Sequence, residues 1–302
     1  MFYVLSSHNL YSLARQFDTL PKDMTTVIIN TLDSTFSEQA KSYCEENNIR
    51  HMITESDGTA ATGKNSFLDI FDKDGVPYAV LVDGDDYLTR RGVRCYTELL
   101  NRDDAPDVLA LSNALSIGFG DTNSIAMALN ESRLSFNPKE LTSKYGQFAE
   151  VSDWKELGKG EMVVDLMLRN GMHPSDLEVQ TFQSYIRDLE YGMGMDAIAT
   201  RITFMSRKVI PYKFKNLVVG EDTLQYLELK DAHEKGELNM VVHDETKPTY
   251  MYDSRLSGIA TVESARDNGL GFLDWMKNLA KEITKLKNEN RLHSSRVPVM
   301  EL

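Results

Sequence analysis

Three carboxylates, Asp83, Asp85 and Asp86, follow directly on an apolar run in the stretch AVLVDGDDYLT, residues 79–89. Like charges this close repel, and taking them out of water is costly unless something positive sits among them. Carboxylate oxygens are hard ligands, so Asp-x-Asp suits Mg2+ or Mn2+. Mg2+ keeps few protein ligands and shares its sphere with substrate phosphates. The chemistry expected of Asp83 and Asp85 is therefore a divalent cation carrying a diphosphate. A solvated, acidic strand-to-helix turn, with Asp86 or Thr89 capping the next helix, uses the same residue types. Those types alone leave both readings open.

The elements around this stretch alternate. FYVLS (2–6), TTVIIN (25–30), IRHMITE (49–55), VPYAVLVD (76–83) and PDVLALS (106–112) read as strands. Helical patterns lie between them: NLYSLARQFDTL (9–20) closed by Pro21, DSTFSEQAKSYCEENN (33–48) opening on capping residues, GTAATGKNSFLDIF (58–71) starting as a small-residue loop, and TRRGVRCYTELLNR (89–102). The order β-α-β-α implies a parallel sheet, and the nearly unbroken apolar run before Asp83 is that of a central strand covered on both faces. Ligands of such sheets bind beyond the carboxyl ends of the strands, which is where the three carboxylates fall. Beyond residue 113 the pattern weakens. Residues 160–211 read as helices followed by a short strand, VVGEDTLQYLEL as a turn and helix, 238–261 as two short strands around Pro248, and the tail as a long helix. No internal repeat is visible.

Composition narrows the class. The chain has 302 residues, 41% hydrophobic and 26% charged, which reads as globular with room for a sizeable core. No apolar run is long enough for a membrane-spanning helix, and the start MFYVLSSHNLYSLARQ lacks the basic and apolar regions of a secretory signal. The spacing of Cys44 and Cys95 implies neither a disulfide framework nor a metal site, so a cytoplasmic location is the expectation. A net charge of −13 disfavours a general nucleic-acid coat, though not a local basic patch.

Two enzyme classes place Asp-x-Asp at a strand end. VDGDDYLT fits haloacid dehalogenase-like phosphatases loosely, but their motif ends the first strand of the domain, and about three strands come earlier here. The order of segments over residues 2–261 resembles family 2 glycosyltransferases of the GT-A fold. VIINTLDSTFSEQAKSYCEENNIRHMI is similar to their second strand, nucleoside-binding turn and helix. GTAATGKNSFLDIF is similar to their small-residue loop with a basic residue and Asn, YAVLVDGDDYLT to their Asp-x-Asp segment, VVGEDTLQYLEL to their Gly-Glu-Asp turn, and TYMYDSRLSGIAT to their tyrosine-rich strand. The opening turn SSHN and the single acidic residue of NTLDST depart from the family pattern, and the interval from Asp85 to Asp222 is long.

The resemblance implies a GT-A-type α/β fold: a mixed, mainly parallel sheet flanked by helices, with a helical insertion around 114–195 and a C-terminal helix. The expected organisation is a nucleotide-sugar-binding half over 1–112, an acceptor-side half over 113–261, and a helix and tail over 262–302. It implies a metal-dependent enzyme using Mn2+ or Mg2+ and a nucleotide-sugar donor, a UDP-sugar by expectation, and inverting by direct displacement. Asp83 and Asp85 would hold the metal, with His243 a further candidate. Ser6, Asp33, Lys64 and Asp83 would bind the donor, Lys64 adding charge at the start of a helix. Asp222 would be the general base with Glu221 beside it, in a cleft that raises its basicity. Ordinary helix-start acidity accounts for the same pair. A strand-end histidine is commonly structural, and Tyr250 and Tyr252 read as packing.

The acceptor stays open between two classes. Residues 277–296 carry six basic side chains against Glu282 and Glu289 in an otherwise acidic protein. Lys281, Lys285, Lys287 and Arg291 would make a phosphate-binding face. The overall texture resembles proteins of T-even-like bacteriophages, whose DNA is glycosylated on hydroxymethylcytosine, so DNA is the favoured expected partner, with glucose or arabinose as the sugar. An envelope polysaccharide or lipid is the other. A GT-A-like binding module with an idle site would be the non-enzyme alternative.

Overall fold

The structure is a computed structural model. It describes residues 1–111, 117–119, 124–130, 149–158, 161–168, 201–217, 220–243, 249–251, 270–293, 295 and 297–300. Among them, no helix is long and apolar enough to cross a membrane.

The first part of the chain alternates as its pattern predicts. Strand β1 (Phe2–Ser6) is followed by α1 (Leu10–Gln16), β2 (Thr25–Asn30), α2 (Ser34–Glu46), β3 (Arg50–Thr54), α3 (Ala60–Asp74) and β4 (Tyr78–Asp83). A two-residue strand β5 (Tyr87–Leu88), helix α4 (Arg90–Leu100) and β6 (Val108–Leu111) complete it. Helix starts follow side-chain chemistry: Asn9, Asp33, Thr59 and Thr89 each accept a bond from a backbone N–H in the first turn that follows.

Later strands return to the same sheet. They are β11 (Arg201–Ser206), β12 (Met240–His243) and β14 (Val299–Met300), and the sheet order is β14-β12-β6-β11-β4-β1-β2-β3. Neighbours are parallel except at β11, which runs antiparallel to both β4 and β6. The result is the expected α/β architecture, a mixed and mainly parallel sheet flanked by helices. Strand direction of travel reverses between β1 and β4: the chain first builds outward through β2 to β3, then crosses back to the other side of β1. That reversal is a topological switch point, where neighbouring connections leave in opposite directions and open a crevice.

Both faces of the central strands are covered, which explains their unbroken apolar runs, while the edge strand β3 stays largely exposed. Tyr3, Leu5, Leu81, Ala110 and Val242 pack on one face with Phe67, Phe71, Leu227 and Ile283. Phe2, Val4, Val82, Leu109 and Val241 pack on the other with Leu13, Phe36, Tyr96 and Tyr250. Helix α5 (Glu221–Glu234) and helix α6 (Leu270–Asn288) both contribute to the first face.

One expectation changes. The described part of 114–195 is not helical but strand: β7 (Ile117–Phe119), β8 (Ser124–Asn130), β9 (Ala149–Gly158) and β10 (Glu161–Leu168), paired antiparallel in the order β7-β8-β10-β9. A short apolar run such as MVVDLML fits either period, and here its valines pair across two ladders. The rest of the expected helical insertion lies outside the described residues. A small strand β13 (Tyr250–Met251) pairs antiparallel with β5.

Candidate functional site

Asp83 ends β4 at the switch point, level with Leu5 of β1. The chain then turns so tightly that a Cβ on Gly84 would overlap the Leu5 carbonyl oxygen and lie 2.8 Å from Ser6 Cα. Only glycine tolerates that approach of two backbones. The Asp86 N–H closes the turn on the Asp83 carbonyl at 3.0 Å. Gln16, the buried last residue of α1, donates through Nε2 to the Asp86 carbonyl.

The three carboxylates divide here. Asp86 is 1% exposed and accepts a 2.6 Å bond from the Tyr250 hydroxyl, which in turn accepts from the Asp83 N–H at 3.2 Å. Asp83 and Asp85 remain partly exposed. Asp86 is thus an internal brace of the turn, and the two residues spaced for a metal are the ones left partly exposed. Thr89 caps α4, as expected of it, and its N–H bonds the Thr249 carbonyl at 3.1 Å. Gly92 permits this approach, since a Cβ there would overlap Thr249 O and sit 2.8 Å from its carbonyl carbon.

A positive charge is present among the acids. Lys64 Nζ lies 2.6 Å from Asp222 Oδ1 and 2.9 Å from Glu221 Oε1, and 5.5 Å from the centre of the Phe214 ring. Burial pushes the Lys64 ammonium toward neutrality, but Asp222, Glu221 and Asp83 together outweigh it and hold its pKa well above the usual lysine value. The repulsion expected between Glu221 and Asp222 is therefore balanced by a cation from α3. Lys64 is not at a helix start. Thr59 caps α3, so Lys64 is its fifth residue, facing inward. Glu221 and Asp222 open α5 as expected, behind Gly220 at φ +87°, a backbone state that favours glycine. A Cβ on Gly220 would come 2.5 Å from Leu279 of α6, so the C-terminal helix is packed directly on this turn.

The remaining expected site residues fall in three places. Ser6, buried at the end of β1, and Asp33, just beyond β2, share the carboxyl edge of the sheet with Asp83. Asp33 Oδ1 accepts from Thr35 N–H at 2.8 Å and Phe36 N–H at 3.1 Å as the cap of α2. His243 ends β12, at the same carboxyl edge of the sheet. Two strands, β6 and β11, stand between β12 and β4, which puts the strands roughly 14 Å apart. His243 is 3% exposed, with Nδ1 3.1 Å from the Met300 carbonyl. On α6, Leu279, Ile283 and Leu286 are buried while Lys281, Lys285 and Lys287 are exposed. Arg291 is tied inward instead, bonding Asp231 at 2.8 Å and Glu289 at 3.2 Å. Tyr252 lies outside the described residues.

Two contributors escape a reading of the sequence: the Tyr250 hydroxyl and Gln16. Tyr250 reads as packing, and it is fully buried, yet a buried tyrosine needs a partner for its hydroxyl. That need is the signal that points toward Asp86.

No protein-family model matches the chain, and no curated protein matches it. Among solved structures it is similar to S. aureus TarS 1–349, at 15% identity, 84% of this chain, 60% of that chain and a TM-score of 0.43. The same protein in complex with UDP-GlcNAc gives 14%, 83%, 57% and 0.41. The mannosyltransferase PcManGT from Pyrobaculum calidifontis, in complex with GDP-Man and Mn2+, gives 13%, 59%, 48% and 0.28. The chain spans about 60% of the length of the TarS 1–349 structure.

Proposed function

We propose that this protein is a glycosyltransferase that moves a sugar from a UDP-sugar donor to an acceptor hydroxyl with the help of a divalent cation. The observation that carries the reading is the pairing of the Glu221–Asp222 turn with one buried lysine that also lies in the field of Asp83, at the switch point. It unites a donor-binding sheet edge with a carboxylate able to take a proton.

Asp83 and Asp85 fit Mg2+ or Mn2+, which take one or two carboxylates and fill the rest of their sphere with water and substrate phosphates. Donor phosphates and water would complete the sphere. The ion, when bound, supplies stabilisation of charge on the leaving diphosphate. Ser6 and Asp33 border the same edge and orient the nucleoside. Of the two acids on Lys64, the Asp222 side chain is 25% exposed and Glu221 9%, so Asp222 is the one that an acceptor hydroxyl reaches. One base acting on the acceptor suffices for direct displacement with inversion.

For the acceptor we favour hydroxymethylcytosine in DNA. The exposed Lys281, Lys285 and Lys287 on α6 support it, since phosphates supply the charge that such a face attracts. The test is a screen of UDP-sugars with Mn2+ against hydroxymethylated DNA and against glycan and lipid acceptors. Sugar transfer to DNA is the expected result. Transfer to a glycan or lipid would move the reading to envelope synthesis, and no transfer or donor hydrolysis with any UDP-sugar would overturn it.

A further inference from the structure

Lys64 has a geometry that a donor-binding role does not use. Lysine is seldom buried, because an ammonium taken from water must be paired and hydrogen-bonded. Lys64 is 4% exposed, and two of its bonds go to the side chains of consecutive residues, Glu221 and Asp222. An ammonium has three hydrogens to give. Two spent in this way fix where both carboxylates stand relative to each other.

The lysine is itself held from behind. Asn65, the next residue of α3, donates to the Phe214 carbonyl at 2.9 Å and accepts from the Phe214 N–H at 2.8 Å. Gln225 of α5 donates to the Tyr212 carbonyl at 3.0 Å, so the same segment is clamped from the side of the acidic turn. α3, the 212–214 segment and the start of α5 thus form one braced unit, with Lys64 at its centre. A diphosphate could take only the third ammonium hydrogen, on a lysine that is 4% exposed and already holds Asp222 at 2.6 Å.

We propose that Lys64 is a positioning residue: it holds Asp222 in the orientation from which Asp222 accepts the acceptor proton, and it does not contact the nucleotide donor. The proposal rests on the glycosyltransferase reading above and deepens it by separating the lysine from donor recognition. Asp83, the acid on the donor side, adds to the field at Lys64, which links the two halves of the site electrostatically without a shared ligand.

The test compares the parent with Lys64→Gln, Asp222→Asn and the double variant Lys64→Gln/Asp222→Asn. UDP binding with Mn2+ is read by calorimetry and turnover by transfer, with the UDP-sugar that the parent uses. Lys64→Gln should lower kcat about 10²-fold, the scale of a misplaced reacting group, while the Kd for UDP stays within about threefold. The double variant should be no slower than Asp222→Asn alone, because a positioning residue has nothing to act on once its base is gone. Should Lys64→Gln fail to fold, Lys64→Gln/Glu221→Gln removes one charge of each sign and carries the same expectation. A Kd weakened about tenfold or more with kcat kept would make Lys64 a donor ligand and overturn the proposal, as would losses that multiply in the double variant. A parent that turns over no UDP-sugar overturns the glycosyltransferase reading instead, and is recognised before any substitution is made.

Discussion

The Tyr250 hydroxyl donates to the Asp86 carboxylate at 2.6 Å, joining residues 164 positions apart in a fully buried pair. The same oxygen accepts the Asp83 N–H. A tyrosine from a two-residue strand therefore sets the shape of the carboxylate turn. Tyr250→Phe removes a bond from a buried carboxylate, so a loss of about 1–3 kcal/mol in urea unfolding is expected. Mn2+-dependent UDP binding should weaken with it. Unchanged stability would show that the turn is held by other contacts.

Asp85→Ala tests the metal. It takes away a partly exposed carboxylate and leaves the Asp86 brace in place. Calorimetric binding of UDP with Mn2+ should be lost while the unfolding curve is preserved. Parent binding that is undiminished in EDTA would contradict the assignment.

Asp222→Asn keeps volume and removes the proposed proton acceptor. Turnover is expected to fall by roughly 10²-fold or more, the usual scale for a general base. UDP affinity should hold. Turnover close to that of the parent would pass the role to Glu221 or to another group.

Asp231 offers a pH-dependent test of how the C-terminal segment is anchored. Burial pushes its carboxyl up, but bonds from Arg291, His293 and Lys235 outweigh burial and bring the pKa to about 2, from 3.8. A depressed folded pKa means stability that is present above pH 4 and lost as the pH falls toward 2. Its size is about 2 kcal/mol, from the shift at 1.36 kcal/mol for each unit. Asp231→Asn should therefore be less stable than the parent at pH 7, and the gap should close as both are titrated to pH 2. A gap that does not change with pH would assign the loss to packing.

Replacing Lys281, Lys285 and Lys287 with Gln tests the acceptor. Each phosphate contact contributes about −0.9 to the slope of log affinity against log salt on duplex DNA, so three contacts give a slope flatter by about two to three. Since the buried face of α6 is untouched, UDP binding should not change. If the parent shows no salt-dependent DNA binding, the three lysines are a solvated face.

The sequence shows the first four helices and the strands around them because local rules govern them. Asp33 and Thr89 cap where their types predict, and strands buried on both faces are continuous in apolar residues. Strand order is a different matter. Nothing local in RITFMS says that it runs backwards between β4 and β6. The site is legible to the same degree. The placement of Asp83 beyond a central strand and of Glu221 and Asp222 at a helix start follows from pattern. The meeting of Glu221 and Asp222 on Lys64 does not, because a lysine in a helix reads as solvated, and only tertiary packing brings Phe214 over it.

The antiparallel β11 also sets a timetable for synthesis. β1 to β4 can assemble as soon as they leave the ribosome, but β6 finds sheet neighbours only in β11 and β12 among the described residues. At about 5–20 residues per second, the interval between Leu111 and Arg201 leaves the open edge of β4 waiting for several seconds. An unpaired edge is a template for wrong pairing. Slow translation through that interval would lengthen the exposure, and chaperone demand during expression should follow the speed with which β11 is delivered.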